Sequence, residues 1–266
     1  MNDALQSVEA LRLRDDARMP HDDRVIVEAP VGLLYNGESF AVMMATPHAL
    51  EDFALGFALS EGIVATPAEF RLVDVVRHEE GIALHAAIPQ SRFDALQERR
   101  RGMEGRSGCG LCGVESLQAA LRPVPRVGAS QPVALGEIRI ALAMLAQRQP
   151  LNALSGGVHA AGFAHGGQLL VREDVGRHNA LDKLIGAMVA QAPPLRAQDG
   201  FLVITSRASY EIVHKAATAG IGLVVAISAP TDLAIRTADI AGMTLAAFAR
   251  GESVNVYTHC DRIRAD

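Results

Sequence analysis

The sequence predicts an α/β protein, α+β overall, in which a smaller β-rich N-terminal portion precedes a layered α/β core. The chain has 266 residues, of which 49% are hydrophobic, so it can bury a substantial core. Alternating apolar runs around turn sequences dominate its first part. Further along, β-rich runs alternate with amphipathic stretches, which is the order of elements that builds a layered sheet.

The predicted organisation has a leader followed by two larger portions. Residues 1–23 mix acidic and basic side chains and are predicted to be a flexible leader. They contain no apolar stretch of the kind that a secretory signal needs, so we expect a cytoplasmic protein. Residues 24–128 form the β-rich portion, with a basic loop and a cysteine pair, and residues 129–266 form the α/β core. The Pro123–Pro132 stretch marks the boundary.

Turn sequences and apolar alternation place the elements of the β-rich portion. The YNGE sequence at 35–38 separates two strands, and HEEG at 78–81 joins a second strand pair. Apolar residues at helical spacing predict a helix over Ala49–Ile63. The predicted strands are Arg24–Ala29, Ser39–Thr46, Phe70–Val76 and Ile82–Ile88.

Phe93–Gly108 is polar and strongly basic and is predicted to be a mobile, solvated loop before the cysteines. A short helix is predicted after them, over Val114–Leu121. In the core, strands are predicted at Phe201–Thr205, Leu223–Ser228, Thr244–Phe248 and Val254–Thr258. Core helices are predicted at Leu135–Arg148, Asn179–Gln191, Tyr210–Ala219 and Asp232–Ala241.

Composition excludes several classes of partner. A net charge of −5, from 25 basic and 30 acidic residues, provides no basic surface for nucleic acid or an anionic membrane. Tryptophan is absent and aromatic residues make up 4% of the chain, so a platform for stacking bases is not expected. Apolar runs fall well short of the roughly 20 residues that a membrane helix needs.

The cysteine pair Cys109-Gly110-Leu111-Cys112 is the main chemical candidate. Three cysteines without export features argue against a disulfide framework. Glycines on both sides of each thiol favour access, and Arg106 together with a following helix would lower a thiol pKa. The spacing alone allows a redox dithiol, half of a zinc site or a persulfide carrier.

Zinc binding would require ligands beyond the cysteine pair. There is no second CxxC and no HxxxH, and His259-Cys260 would complete a site only if the tail folds back. The order HEE at 78–80 followed by CGLC resembles the zinc deaminase signature. However, Gly108 replaces the proline of that signature, and His78 falls in a predicted turn.

Three polar segments of the core are candidate ligand contacts. They are GGVHAAG at 156–162, EDVGRHNALDK at 173–183 and TSRAS at 205–209. Asp174 or Asn179 would cap a helix whose N-terminus, with Arg177 beside it, suits an anion. An ordinary turn and ordinary helix caps would explain these segments almost as well. The phosphate-binding motif GxxxxGK[ST] does not occur in the chain.

Several long motifs occur together in a fixed order, namely RSGCGLCG, GGVHAAGF, EDVGRHNALDKLIG, TSRASYEIVHKAATAGIG and GMTLAAFAR. Together they resemble the formate dehydrogenase accessory sulfurtransferase (FdhD) family, from about Arg24 to the end of the chain. The resemblance implies a cytoplasmic homodimer with a deaminase-like α/β core. It also implies transfer of sulfur from a cysteine desulfurase to the molybdenum bis-guanine dinucleotide cofactor, the protein's bound substrate, for use in formate dehydrogenase.

The resemblance also implies the roles of particular residues. Cys109 would carry the persulfide, with Cys112 as its companion thiol, and no metal of its own is implied. The guanine dinucleotide would bind a segment comprising Phe248, Ala249, Arg250, Gly251, Glu252 and Ser253. In that segment Arg250 is the expected phosphate partner and Gly251 allows close approach of the backbone. The alternatives are a cofactor-binding chaperone without sulfur transfer and a zinc-dependent deaminase.

Overall fold

The structure, a computed structural model, describes residues 2–104 and 122–265, with the side chains of 3–98 and 122–265. Cys109 and Cys112 lie outside these residues, as does the short helix predicted over Val114–Leu121. The fold is mixed α/β, as predicted, with a small sheet in the β-rich portion and a larger layered sheet in the core.

The N-terminal residues form an antiparallel hairpin of β1 (Leu5–Arg14) and β2 (Ala17–Ile26). The leader at 1–23 therefore includes β1 and most of β2, which the sequence did not predict. The strand predicted over Arg24–Ala29 is wrong, because β2 ends at Ile26 and the next strand begins at Ala29. Its flexibility and the boundaries at 23 and 128 stay predictions.

A four-stranded sheet follows the hairpin, in the order β4-β3-β6-β5. Its strands are β3 (Ala29–Tyr35), β4 (Glu38–Ala45), β5 (Arg71–Arg77) and β6 (Ile82–Ala87). The predicted turn between β3 and β4 is confirmed: Asn36 and Gly37 have φ values of 50° and 91°, the positive values that a tight Asn-Gly hairpin turn requires. The strand pair β5–β6 is confirmed within one residue at each end.

One face of this sheet packs on helix α1 (Leu50–Ser60), which confirms the helix predicted in this region. Phe53 and Phe57 of α1 join the cluster formed by Val31, Leu33 and Tyr35 of β3. Helix α1 begins after Ala49, which has a φ of 52°. This positive φ redirects the chain from the loop after β4 into the helix.

The loop predicted over Phe93–Gly108 is wrong over its described part, because helix α2 spans Gln90–Glu104. The prediction gave weight to the arginines and overlooked the apolar residues before them. Phe93 and Leu96 lie one helical turn apart and both pack against the α1 cluster. This contact anchors the helix on the α1 cluster.

The core contains a six-stranded sheet in the order β13-β12-β11-β10-β8-β9, and a short parallel pair, β7 and β14, lies beside it. The strands are β7 (Val133–Ala134), β8 (His159–His165), β9 (Gln168–Asp174), β10 (Phe201–Ile204), β11 (Leu223–Ala226), β12 (Thr244–Arg250), β13 (Ser253–Thr258) and β14 (Ile263–Arg264). Every residue of β10 and β11 is buried, as expected for central strands covered on both faces. The four predicted core strands are confirmed.

Helices cover both faces of the large sheet. They are α3 (Leu135–Gln147), α4 (Pro150–Ser155), α5 (Arg177–Ala190), α6 (Tyr210–Thr218) and α7 (Asp232–Ala241). Helices α5, α6 and α7 share one hydrophobic cluster with the sheet, and α3 shares the cluster on the opposite face. The four predicted core helices are confirmed, whereas α4 was not predicted. None of the helices in the described part of the chain has the length and apolar character of a bilayer span.

Two glycines bring the β-rich portion and the core into close contact. An added Cβ at Gly56 of α1 would lie 1.7 Å from the Asp182 carbonyl oxygen, and one at Gly186 of α5 would lie 1.9 Å from the Asp52 carbonyl oxygen. The backbones of α1 and α5 therefore touch at both positions. Only glycine permits this approach.

Candidate functional site

The carboxyl ends of three strands define the candidate site. Strands β10, β11 and β12 are parallel, so their carboxyl ends meet at one edge of the sheet. Ligands of open α/β sheets commonly bind outside such an edge. Three connections leave the sheet here. They are the loops at 205–209 and 227–231 and the β12–β13 hairpin turn at 251–252.

Backbone hydrogen bonds join these loops into one surface. The Ala208 amide donates to the Ala229 carbonyl at 3.1 Å, which links the loop after β10 to the loop after β11. The Phe248 amide donates to the Ser228 carbonyl at 3.2 Å, which links the loop after β11 to β12. The segment predicted to bind the guanine dinucleotide therefore adjoins the polar TSRAS segment through a chain of main-chain contacts.

The end of β12 has an irregular backbone. Pairing with β13 shifts register between Ala247 and Arg250, as in a β-bulge. Phe248 has a φ of 52° and is 44% exposed, an uncommon conformation for a bulky residue and a costly one. Bulges and strained residues of this kind are common beside ligand sites, where they redirect a side chain.

The hairpin turn after this bulge is fixed by several hydrogen bonds. Arg250 Nε donates to the Ile227 carbonyl at 3.1 Å, and Ser253 Oγ donates to the Arg250 carbonyl at 3.3 Å. Arg139 of α3 donates to the Glu252 carbonyl at 3.0 Å. Gly251 has a φ of 58°, in the left-handed region that favours glycine. Arg250 is thus held at the strand edge with its side chain exposed.

The same edge continues across β8, where Thr205 is bound to the start of that strand. The Ala160 amide donates to Thr205 Oγ1 at 2.9 Å, and the Thr205 amide donates to the Ala160 carbonyl at 3.1 Å. His159 precedes this contact and pairs in register with Asp174 at the end of β9. The GGVHAAG and EDVGRHNALDK segments are therefore neighbours of the TSRAS segment.

Arg177 and two histidines give this end of the edge its electrostatic character. The Arg177 Nε is buried and makes no hydrogen bond within the described residues. Burial, and then the charge of Arg177, lower the pKa of His159 and lower that of His178 to about 4. Both imidazoles are therefore neutral near pH 7. A guanidinium beside two neutral hydrogen-bonding rings suits an anionic ligand group.

The predicted helix cap at this place is wrong. The residue before α5 is Gly176, and no side chain caps the helix. Asp174 is instead buried. It forms an ion pair with Lys183 at 2.5 Å and accepts a hydrogen bond from the Thr46 amide at 3.0 Å. An added Cβ at Gly176 would lie 2.9 Å from Asn179 Nδ2, which explains the glycine at the helix start.

The chain that follows the cysteine segment is attached close to this edge. The Arg122 amide donates to the Tyr210 hydroxyl at 2.9 Å, and that hydroxyl donates to the Arg122 carbonyl at 3.4 Å. Tyr210 begins α6, directly after Ser209, whose Oγ lies 3.4 Å from His178 Nε2. Arg122 is ten residues after Cys112 in the sequence.

Two buried lysines were missed by the sequence prediction. Lys215 of α6 contacts Asp182 Oδ1 at 2.9 Å and Glu61 Oε1 at 2.8 Å, and Lys183 pairs with Asp174. Burial would raise the pKa of Glu61, but Lys215 and Arg122 lower it to about 2. The signal for these pairs is a charged residue inside an apolar helical run, as in LDKLIG and VHKAAT.

Of the residues considered for zinc, the structure describes His78, His259 and Cys260. His78 lies in the turn between β5 and β6, where its amide donates to the Gly81 carbonyl at 2.8 Å. His259 contacts Asp239, and Cys260 is exposed. No group of three or more potential metal ligands occurs among the residues that the structure describes.

Comparisons with known proteins match most of the chain. A sequence model of the FdhD/NarQ family matches residues 26–264. A protein of Xanthomonas oryzae pv. oryzae (strain MAFF 311018), named sulfur carrier protein FdhD, is 53% identical over 243 residues, which cover 91% of this chain and 86% of the relative. A protein of Bordetella petrii with the same name is 47% identical over 244 residues, covering 91% of this chain and 87% of the relative.

A solved structure shares the fold. The crystal structure of a putative formate dehydrogenase accessory protein from Desulfotalea psychrophila superposes with a TM-score of 0.75 at 23% sequence identity. The match covers 98% of this chain and 100% of that chain. Together with the family match over residues 26–264, the identities show that this chain belongs to the FdhD/NarQ family.

Proposed function

We propose that this protein is a sulfur carrier for formate dehydrogenase maturation. It takes persulfide sulfur from a cysteine desulfurase and passes it to the molybdenum bis-guanine dinucleotide cofactor. The names of relatives at 47% to 54% identity support the carrier role, and the accessory protein from Desulfotalea psychrophila supports the link to formate dehydrogenase. The observation that carries the proposal is the attachment of Arg122, shortly after the cysteine pair, beside the strand-edge site.

In the first step Cys109 accepts sulfur. Its thiolate attacks the terminal sulfur of the donor's persulfide, a bond forms between the two sulfurs, and the donor cysteine leaves as a thiolate. Cys109 then holds a persulfide, and no net oxidation occurs. Arg106 in the same basic segment favours the thiolate form, because a nearby positive charge lowers a thiol pKa.

In the second step the terminal sulfur passes to the molybdenum centre. Cys112 has two possible roles. It relays the terminal sulfur as its own persulfide, whose inner sulfur Cys109 then attacks, or it attacks the inner sulfur of Cys109 directly. In either route sulfide leaves as the new metal ligand, the pair ends as a disulfide, the two thiols supply the two electrons, and a thiol reductant restores the pair.

The strand edge is the proposed binding site for the cofactor, which is substrate rather than a resident group. Arg250 would pair with a phosphate of the guanine dinucleotide, and Gly251 would let the backbone approach it. The exposed ring of Phe248 offers an apolar face for the guanine base. Arg177, with its unpaired buried Nε, would meet a second anionic group farther along the edge. A homodimer in the cytoplasm is the assembly and location that we propose.

Sulfur acceptance is tested by replacing the carrier cysteine. Cys109→Ala, incubated with a cysteine desulfurase and radiolabelled cysteine, should take up no protein-bound label that reductant can release. Cys260→Ala is the matched control and should label like the wild type, because that exposed thiol has no role in the proposal. Circular dichroism verifies that both variants fold. Full labelling of Cys109→Ala would exclude it as the carrier.

A cofactor-binding chaperone without sulfur transfer is the second candidate. It is favoured by the strand edge itself, whose described contacts require neither Cys109 nor Cys112. Under this alternative, Cys109→Ala would bind guanine nucleotide and still support formate dehydrogenase activity. A sulfur carrier with the same substitution would bind the nucleotide and fail to support activity.

A further inference from the structure

Side chains from both portions of the fold hold the chain that follows the cysteine segment. The Tyr210 hydroxyl accepts a hydrogen bond from the Arg122 amide at 2.9 Å and donates one to the Arg122 carbonyl at 3.4 Å. Glu61 Oε2 accepts a hydrogen bond from the Arg122 guanidinium at 2.7 Å. His214 Nε2 donates to the Pro123 carbonyl at 3.3 Å. These contacts together form the Arg122 anchor.

Glu61 connects the Arg122 anchor to the buried charges of the core. It directly follows α1, and its side chain is 15% exposed. Its two carboxylate oxygens bind different cations, because Oε2 contacts Arg122 and Oε1 contacts Lys215 of α6 at 2.8 Å. Lys215 is fixed in turn by Asp182 of α5 at 2.9 Å. A buried network that spans α1, α5 and α6 therefore sets the position of the Arg122 guanidinium.

Tyr210 places the Arg122 anchor against the strand edge. It is the first residue of α6 and directly follows the loop at 205–209. That loop leaves β10 at the strand edge, where the Ala208 amide donates to the Ala229 carbonyl. The main chain of Arg122 is therefore bonded to the residue that follows a loop of the proposed cofactor site.

The two sulfur-transfer steps of the proposed function place different demands on this anchor. The sulfur donor is a separate protein that meets the cysteine pair from solution. The cofactor is bound on the same chain, so delivery is an intramolecular step whose rate follows the effective concentration of the carrier thiol at the strand edge. The place where the cysteine segment is attached affects that concentration. A small misplacement of reacting groups can lower a rate by about 100-fold.

We propose that Arg122, held by Glu61 and Tyr210, is a positioning residue for sulfur delivery. The anchor keeps the end of the cysteine segment beside the bound cofactor. It takes no part in the acceptance of sulfur or in the binding of the guanine nucleotide. This inference rests on the proposed function, because it concerns the second of the two transfer steps.

Separate measurement of loading and delivery tests the positioning role. Arg122→Met removes the guanidinium and keeps the length of the side chain. It should accept radiolabelled sulfur from a cysteine desulfurase to the wild-type level. When the loaded protein is mixed with the molybdenum bis-guanine dinucleotide cofactor, the label should leave the protein about tenfold more slowly than in the wild type. Arg122→Lys, which keeps a cation opposite Glu61, should recover most of the rate.

Arg126→Met is the matched control, because Arg126 is exposed in the same stretch of chain. It should load and deliver sulfur like the wild type. Arg122→Met should also bind guanosine diphosphate with wild-type affinity, which separates positioning from binding. Delivery by Arg122→Met at the wild-type rate, or an equal loss in loading or nucleotide affinity, would overturn the positioning role. A wild type that accepts or delivers no sulfur would instead contradict the proposed function, and this inference with it.

Tyr210→Phe tests the main-chain part of the anchor without any measurement of sulfur. The substitution removes one oxygen atom and keeps the ring. Amide hydrogen exchange at Arg122 should become about tenfold faster, because the amide loses its acceptor. Exchange at Val213, whose amide donates to the Ser209 carbonyl at 3.1 Å, should stay at the wild-type rate. Unchanged exchange at Arg122 would show that the hydroxyl does not hold the end of the cysteine segment and would overturn the proposal.

Discussion

At the scale of residues, Arg250 combines an observed structural contact with a proposed role in binding phosphate. Its Nε is bound to the Ile227 carbonyl, which fixes the side chain beside the end of β11. The strained Phe248 and the positive φ of Gly251 keep the turn open on either side of it. This segment was identified from the family resemblance, whereas the residue pattern alone indicated no more than a strand end and a turn.

Replacing Arg250 should therefore weaken nucleotide binding. We expect Arg250→Ala to lower the affinity for guanosine diphosphate by about tenfold or more, because a hydrogen bond to a charged group contributes about 1.5–3 kcal/mol. Titration calorimetry measures the change. Arg236→Ala is the matched control, since Arg236 lies on α7 and pairs with the exposed Asp232. Unchanged affinity in Arg250→Ala would exclude this residue as the phosphate partner.

At the scale of elements, the crossing of α1 and α5 shows where sequence prediction stops. Helix α1 and the central strands were predicted because their apolar periodicity is local and strong. The close packing at Gly56 was not predicted, because the carbonyl that it approaches belongs to Asp182, on a helix far along the chain. Helix α2 was predicted as a loop because of its run of arginines. The apolar residues Phe93 and Leu96, which pack on the α1 cluster, were overlooked.

The helix crossing should not tolerate a methyl group at position 56. We expect Gly56→Ala to lower the free energy of unfolding by about 1–3 kcal/mol, because α1 and α5 must separate to accommodate it. Urea unfolding followed by circular dichroism gives the value. Gly128→Ala is the control, since an added Cβ there meets nothing within 4 Å. Equal stability of the two variants would contradict the close approach.

At the scale of the whole molecule, buried ion pairs hold the β-rich portion on the core. Lys215 joins Asp182 of α5 to Glu61 after α1, and Lys183 pairs with Asp174 while donating to the Thr46 carbonyl at 2.9 Å. A lysine inside an apolar helical run signals that each of these cations is buried. The identity of its partner was not predictable, because the two residues meet only after folding. Arg122, at the end of the cysteine segment, also contacts Glu61.

Removing the central cation should destabilise the whole assembly of elements. We expect Lys215→Met to cost about 3–5 kcal/mol of unfolding free energy, because it leaves the buried Asp182 carboxylate without its cation. Chemical unfolding measures the loss. Arg236→Met, which breaks an exposed ion pair, should unfold near the wild-type midpoint. A Lys215→Met protein as stable as the wild type would show that the pairs do not hold the two portions together.

The central claim, that Cys109 carries sulfur, is tested most directly by intact-mass spectrometry. Purified protein is incubated with a cysteine desulfurase and cysteine, separated from small molecules and weighed with and without reductant. The wild type should gain the mass of one sulfur atom that reductant removes, and Cys109→Ala should gain nothing. No gain in the wild type, or the same gain in Cys109→Ala, would contradict it.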